Sequence, residues 1–391
     1  VIAFTTADVA RRTRGIVDAG SVELPELDAR MIWSALAEPG DGVAGALIAA
    51  HGARGALEIA VCDAPTARSV TGVSVEELQK GRARWLPRVA DAEGPSESAR
   101  RAGILPLTPS HRNWPRRVDD LGHHAPLCLW VRGDPRALSS ANSVALVGAR
   151  AATAYGTHIA AEFAAELAVD GIGIVSGGAY GIDGAAHRAA LASGGVTTAW
   201  MAGGVDRPYP AGHHRLLEEI VMSGGALVSD VPCGSAPTKW RFLARNRLIA
   251  AASDATVVVE AGWRSGSLNT AGHAAALGRS LGAVPGPVTS PASAGCHRLL
   301  REYDAVCVTR SDEVKELIGY GPGADVRPHD PMPHTGTSTR VRDALSRRSE
   351  RTPEELARRT GMSREAVSAA LGLLALEGVV ARRESGGWIA V

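Results

Sequence analysis

The chain has 391 residues, 45% of them hydrophobic and 21% charged, which excludes a largely disordered polymer and suits a globular fold of two or three domains. Forty-two basic residues against forty-one acidic ones give a formal charge of +1, so no global field draws in a polyanion and any such partner has to be met by a local patch. No apolar run nears the roughly twenty residues of a membrane-spanning helix, and the N-terminus lacks the basic, apolar, small-residue order of a signal peptide, so a chain neither exported nor embedded is expected.

Residues 1–95 read as a small helical module. Asp28 to Ala37 puts Ile32, Trp33 and Leu36 on one helical face, and a Pro-Gly-Asp-Gly turn (Pro39 to Gly42) follows. A second helix from Val43 to His51 is expected to stop at Gly52, giving a helix hairpin. Beyond a charged stretch, Asp91 to Arg101, the texture changes to short β-branched runs separated by glycine turns and amphipathic segments. Strands are predicted at Ser143 to Val147, Gly173 to Ser176, Thr197 to Ala202, Ala226 to Ser229 and Thr256 to Glu260. Helices are predicted between and after them, at His158 to Val169, Gly184 to Ala192, Arg215 to Met222, Arg247 to Ala252 and Leu268 to Leu277. This alternation implies an α/β fold over 96–318, with a parallel, doubly wound sheet. A Gly, Pro, His and Thr-rich stretch, 319–338, reads as a linker. Residues 339–391 then read as three helices and two short strands, the outline of a winged helix-turn-helix with a basic wing tip at Arg382-Arg383.

The strongest local signal is Ser176-Gly177-Gly178-Ala179-Tyr180-Gly181-Ile182-Asp183, between a predicted strand and helix. Glycines there let main-chain N–H groups converge at a helix N-terminus, which suits a phosphate. No Lys follows at Walker spacing, and the third glycine misses the dinucleotide fingerprint. Three more loops are expected at the same carboxyl edge of the sheet: Gly148 to Gly156 with Arg150, Met201 to Pro210, and Glu260 to Ser267 with the donors Ser265, Gly266 and Ser267. Several phosphate-sized sites along one edge suit a polymer better than a mononucleotide. The five cysteines form no CxxC pair, and the His123-His124 and His213-His214 doublets have no acid or thiol at ligand spacing. No metal or other cofactor is expected, and the cysteine usage fits a reducing cytoplasm.

Seven motifs in order carry a family resemblance: VGAR with Tyr155-Gly156, SGGAYGID, Gly203-Gly204-Val205-Asp206 with Tyr209-Pro210, Ser229-Asp230-Val231-Pro232, Phe242 to Ala250 with its FxxRNR core, Val258-Val259-Glu260-Ala261 with Ser265-Gly266-Ser267-Leu268, and Ala283-Val284-Pro285-Gly286. Together they resemble the DNA-processing protein A (DprA/Smf) family over about residues 100–310. The resemblance implies an extended Rossmann-like core, with accessory N-terminal helical and C-terminal winged-helix domains. It further implies a non-enzymatic protein that binds single-stranded DNA, forms a homodimer, protects incoming DNA and helps load a RecA-type recombinase in natural transformation. By the same resemblance Arg150 and Arg215 meet phosphates, Ser176, Gly177, Gly178 and Gly181 cradle them, and Arg245 and Arg247 line the groove. Departures from the family pattern include Leu243 for proline, Asp230 for Glu, and Tyr303-Asp304 where Gly is usual.

Other readings compete. Arg245 or Arg247 could instead pair with a nearby acid such as Asp254, and Tyr155, Trp240 and Phe242, the candidate base platforms, are expected to pack in the core. Glu260 at a strand end could be the general base of a nucleotide phosphoribohydrolase, although no second carboxylate is positioned beside it by sequence. The tail could bind duplex DNA as part of a nucleotide-sensing regulator, since it holds ten Arg against seven acids between Thr339 and Val391 and turns Ser363, Arg364 and Ser368 outward.

Overall fold

A computed structural model describes residues 5–17, 23–61, 72–320 and 337–391, apart from 348, 377 and 384. Most of the expected linker (321–336), Cys62 and Glu384 of the expected wing tip lie outside the described residues. The chain divides into two compact units, Val1–Pro322 and Gly323–Val391.

The first unit opens with helices α1 (Thr6–Thr13), α2 (Leu24–Leu36), α3 (Gly42–Val61), α4 (Val75–Trp85) and α5 (Gly94–Ala102). Gly52 does not end the second predicted helix but kinks it: its φ of 70° breaks the helical path, and the chain resumes as helix to Val61. Trp33 and Trp85 meet edge to face at 5.0 Å in the core of this layer. The Trp33 indole N–H donates to the Ala53 carbonyl at 3.0 Å, so burying the ring leaves no orphan donor.

A nine-stranded sheet follows, in the order β1-β2-β6-β5-β4-β3-β7-β8-β9. Its strands are β1 (Leu105–Leu107), β2 (Leu129–Gly133), β3 (Ser143–Gly148), β4 (Gly173–Gly177), β5 (Thr197–Trp200), β6 (Ala226–Ser229), β7 (Ala255–Glu260), β8 (Ser280–Ala283) and β9 (Val306–Cys307). The pairs from β6 through β9 are parallel, while β2 joins β6 antiparallel and β1 caps that edge, also antiparallel. Helices α6 (Ala154–Val169), α7 (Ile182–Ala192), α8 (His214–Met222), α9 (Lys239–Ala251), α10 (Ser267–Ala276), α11 (Ala294–Glu302) and α12 (Ser311–Leu317) supply the crossovers and outer layers.

The period of two along β3 sorts its side chains. Val144 and Leu146 pack with Phe163 of α6 and Ile182 of α7, whereas Ala145 and Val147 pack with Ile249 of α9 and Ala271 of α10. Burying each such Val, Leu or Ile contributes about 1.5–3 kcal/mol, which makes this two-sided core the main stabilising term. Helix α9 begins eight residues before its predicted start, capped by Thr238, whose hydroxyl accepts from the Arg241 N–H at 3.2 Å. Its early turns carry Lys239, Trp240, Arg241 and Phe242 without an apolar repeat, which is why sequence pattern passes over them.

From β3 the chain winds out through β4, β5 and β6, then α9 returns it to β7 on the other flank of β3. The order therefore reverses between β3 and β7, where ligands of open α/β sheets settle beyond the strand ends. The register slips between Val147 and Gly148, pairing Gly148 with Glu260 and letting the chain turn away from the sheet at Ala149.

The second unit holds α13 (Thr337–Ala344), α14 (Pro353–Thr360), α15 (Arg364–Leu376) and a hairpin of β10 (Val380–Arg382) and β11 (Trp388–Ala390). Gly361, at φ 70°, ends α14 and turns the chain into α15. Val341, Leu356, Val367, Leu371 and Leu374 form its core, giving a winged-helix architecture.

Candidate nucleic-acid interface

The loops after β3, β4 and β7 converge on one edge around a cavity of about 500 Å³ at the β3/β7 reversal, and the loop after β5 lies beside it. Gly148 to Ala151, Asp183, Phe242, Arg245, Asn246, Arg264 and Ser265 to Ser267 line it. Arg150 stands exposed at the mouth with its guanidinium 4.7 Å from the centre of the Phe242 ring, a cation–π contact. Phe242 in turn meets Tyr209 edge to face at 6.0 Å. Ser265 and Ser267 hydrogen-bond through their hydroxyls at 2.7 Å where α10 begins.

The glycine loop is built for close approach rather than for open donors. Ser176 is fully buried and donates to the Leu146 carbonyl at 2.6 Å, which corrects its expected role: a hydroxyl beneath the sheet edge cannot touch a bound phosphate. Gly177 is buried too, and a Cβ there would run into the Arg245 guanidinium and, at 2.7 Å, an oxygen of Asp183. Gly178 accepts at its carbonyl from His213 Nδ1 at 3.1 Å. Gly181 sits at φ 76°, ψ −127°, and a Cβ would collide with the carbonyls of Ala149 and Arg150. This loop thus shapes the edge and seats the Arg150 backbone.

Below the mouth lies a buried charge system. Arg245, 5% exposed, donates to the Trp200 carbonyl, and its Nε has no hydrogen-bond partner. Burial pulls this guanidinium down to about 10, so it stays cationic at neutral pH. Burial pushes the Asp183 carboxyl up to about 6, against the pull of Arg245. Arg245 therefore belongs to the cavity floor and not to an open groove.

Arg247 needs a correction as well. It is 5% exposed, pairs with buried Asp230 at 2.7 Å, and donates to the carbonyls of His124 at 3.1 Å and Ala244 at 2.8 Å. It ties α9 to the loop after β6 and to the segment ending at His124, out of reach of a ligand. The alternative partner, Asp254, instead pairs with Arg117 and accepts from the Ser143 N–H at 2.8 Å.

Further along the edge, Tyr180 is exposed and meets His213 edge to face at 4.7 Å. Arg215 follows two residues later, exposed in the first turn of α8. Sequence reasoning missed Arg264 and Asp183 as parts of the site, although both lie in or beside the loops it singled out. Among the described residues Arg150, Arg215 and Arg264 have no acid within ion-pairing distance, as is also true of exposed Arg116, Arg188 and Arg301, whereas Arg30, Arg84, Arg88, Arg132 and Arg241 are paired. Nor do the platform aromatics pack in the core: Trp240 is 61% exposed, Tyr155 is exposed with its hydroxyl donating to the Pro285 carbonyl at 2.8 Å, and Phe242 is half-buried.

Glu260 is 3% exposed and accepts from the Thr153 N–H at 2.8 Å and the Thr153 hydroxyl at 2.7 Å. Thr153 caps α6, so this carboxylate holds a helix start, and both of its oxygens are engaged. Among the described residues no cluster of three or more His, Cys, Asp or Glu could hold a metal ion, and no helix is long and apolar enough to cross a membrane.

Comparison with known proteins shows which family the chain resembles. The family described as DNA recombination-mediator protein A matches residues 106–319, and the DprA winged helix domain matches residues 326–386. A relative from Mycobacterium tuberculosis (strain ATCC 25618 / H37Rv), named for the DNA processing protein DprA, is 46% identical over 324 residues, covering 79% of this chain and 82% of its own. The DNA processing protein DprA of Streptococcus pneumoniae (strain ATCC BAA-255 / R6) is 38% identical over 199 residues, 50% of this chain and 68% of its own. The X-ray structure of DNA processing protein A from Streptococcus pneumoniae superposes with a TM-score of 0.58 at 27% identity, covering 74% of this chain and 96% of that one.

Proposed function

This chain belongs to the DNA recombination-mediator protein A family, and from that premise we propose that it binds single-stranded DNA along the carboxyl edge of its sheet. The observation that carries the reading is the set of unpaired guanidiniums, Arg150, Arg215 and Arg264, on the edge that also holds the cavity. An exposed arginine without an acid is free to replace the counterions of a phosphate, and three in a row suit a repeating anion. Exposed Tyr180, Tyr209 and Trp240 on and beside the same edge offer faces to bases, which only an unpaired strand leaves open.

The roles are divided. Arg150 and Arg264 meet the strand at the cavity mouth, Ser265 to Ser267 donate from the start of α10, and Arg215 takes a phosphate further along. Gly177, Gly178 and Gly181 hold the loop close enough for the strand to pass. Arg245 supplies charge from the cavity floor. In this reading the protein covers DNA during its processing, acts as a homodimer, and hands the strand to a RecA-type recombinase. With Glu260 committed to the α6 cap, the base of a phosphoribohydrolase lacks a free carboxylate, and the proposal includes no catalysis. Duplex contact by the winged-helix unit has thinner support, because the outward face of α15 carries Arg364 paired with Glu354 at 2.8 Å, followed by Ser368, Ala369, Gly372 and Leu373.

Fluorescence anisotropy with a labelled oligothymidylate and a matched duplex, titrated with salt, tests the reading. The single strand should bind more tightly, with affinity falling linearly on a log–log salt plot, and Arg150→Ala should weaken binding and lower that slope by about one. Equal affinity for both forms with no salt dependence would overturn it.

A further inference from the structure

The residues used so far occupy the edge from β5 to β7. On the far flank, toward β8, stands a second exposed cluster. Trp263, 59% exposed, follows Gly262 of the cavity lining and precedes Arg264 at its mouth. The Arg298 guanidinium on α11 lies 5.4 Å from the Trp263 ring centre and 5.7 Å from that of Tyr303, so one cation is shared by two rings. Arg298 is steadied from its own helix by Glu302, at 2.7 Å.

The cluster is held in register with the cavity. The Gly295 N–H at the start of α11 donates to the Ala261 carbonyl at 2.7 Å, and a Cβ on Gly295 would press on the carbonyls of Ala261 and Gly262 at 2.7 Å. Helix α11 is therefore pinned to the two residues that precede Trp263. Five of the eight tryptophans (Trp33, Trp85, Trp114, Trp130 and Trp200) are fully buried, so this chain places most of its indoles in cores. An indole left standing on a pinned loop beside a cationic cavity is a different use of the residue.

We propose that Trp263, backed by Arg298 and Tyr303, is a base-stacking platform that carries the single strand past the cavity onto the β8 flank. The inference rests on the single-strand reading above and adds the direction in which the strand continues. Strand order puts Arg215 after β5, Tyr180 after β4, Arg150 after β3, and Arg264 with Trp263 after β7, and the three strand steps of about 4.8 Å make a track of roughly 14 Å. An indole face takes any base, so the platform adds affinity and length without sequence preference. Arg298, fixed behind the ring, keeps it from folding back when the base arrives.

The test uses the full chain with Trp263→Ala and Trp263→Phe and labelled oligothymidylates of increasing length. Stacking predicts that Trp263→Ala lowers affinity for long oligonucleotides about 5- to 100-fold, with an unchanged melting temperature, while Trp263→Phe retains most of it. A second readout does not depend on the alanine variant folding. In a Trp240→Phe background oligothymidylate should quench tryptophan fluorescence, and adding Trp263→Phe should abolish most of that quench. Parent-like binding by Trp263→Ala, or an undiminished quench without Trp263, overturns the platform and leaves the single-strand reading standing. A parent chain that binds no oligothymidylate at all overturns both.

Discussion

Replacing Arg247 separates a structural arginine from a ligand-binding one on the same helix. Its guanidinium makes three hydrogen bonds, to Asp230 and to two main-chain carbonyls, and packs against the Pro39-Gly40 turn of the helical module. Arg247→Met keeps most of the side-chain volume but strands the Asp230 carboxylate, which is 6% exposed and already has one oxygen without a partner. Breaking a buried pair from one side costs about 3–5 kcal/mol. For a unit of this size that corresponds to a melting temperature roughly 4–8 °C lower. Differential scanning calorimetry reads the shift, and anisotropy at a temperature where the variant is folded should give parent-like affinity for oligothymidylate. Replacing both partners, Arg247→Met with Asp230→Leu, should recover part of the loss because no charge is then left buried alone. If Arg247→Met melts within about 2 °C of the parent yet binds as weakly as Arg150→Ala, the assignment of Arg247 to the framework is wrong.

Three further outcomes follow from the same geometry. Arg215→Ala should lower oligothymidylate affinity and reduce the salt slope by about one, with no change in melting temperature; a parent-like slope would take α8 out of the track. Gly181→Ala forces a side chain into a backbone region that L-residues avoid and against the carbonyls of Ala149 and Arg150, so it should cost at least about 1–3 kcal/mol and disturb the seat of Arg150, weakening binding as well as melting. Asp183 should make binding pH-dependent. Its folded-state value near 6 lies above the ordinary 3.8, so the cavity gains a positive charge as pH falls through 6 and affinity for the strand should rise. No imidazole lines the cavity to mimic this, and Asp183→Asn should bind tightly at pH 7 and flatten the profile. The same raised value means that the stability this group contributes is full below about pH 4 and is lost as pH rises through 6, by about 3 kcal/mol; Asp183→Asn should remove that slope in urea unfolding.

How far the sequence reaches is clearest in particular elements. The five β-branched runs became β3 to β7 with ends shifted by no more than two residues, because a strand buried on both faces has to be apolar along its whole length. The turn of SGGAYGID was legible for a steric reason, since only glycine adopts the backbone that Gly181 needs. Asp304 takes a left-handed φ of 52°, a conformation Asp tolerates better than most residues. By contrast β1, β2, β8, β9 and α11 were not foreseen: all four strands lie at the margins of the sheet, and β1, β8 and β9 run for only two to four residues.

The arginines mark the boundary between the two kinds of knowledge. Local sterics and strand period placed Arg150 in the loop after β3, while it was the family resemblance, and not hydrophobic period, that drew Arg215, Arg245 and Arg247 into the expected groove. The sequence could not sort them. Arg245 and Arg247 sink into the molecule because α9 is drawn between the sheet and the helical layer, where the Trp200 carbonyl, Asp230 and the His124 carbonyl, 45, 17 and 123 residues away along the chain, take up their donors. Arg150, Arg215 and Arg264 stay without an ion pair because, among the described residues, no acid is carried to them. Whether a guanidinium is bound or available depends on which distant groups the closed fold delivers to it, and only the tertiary structure decides that.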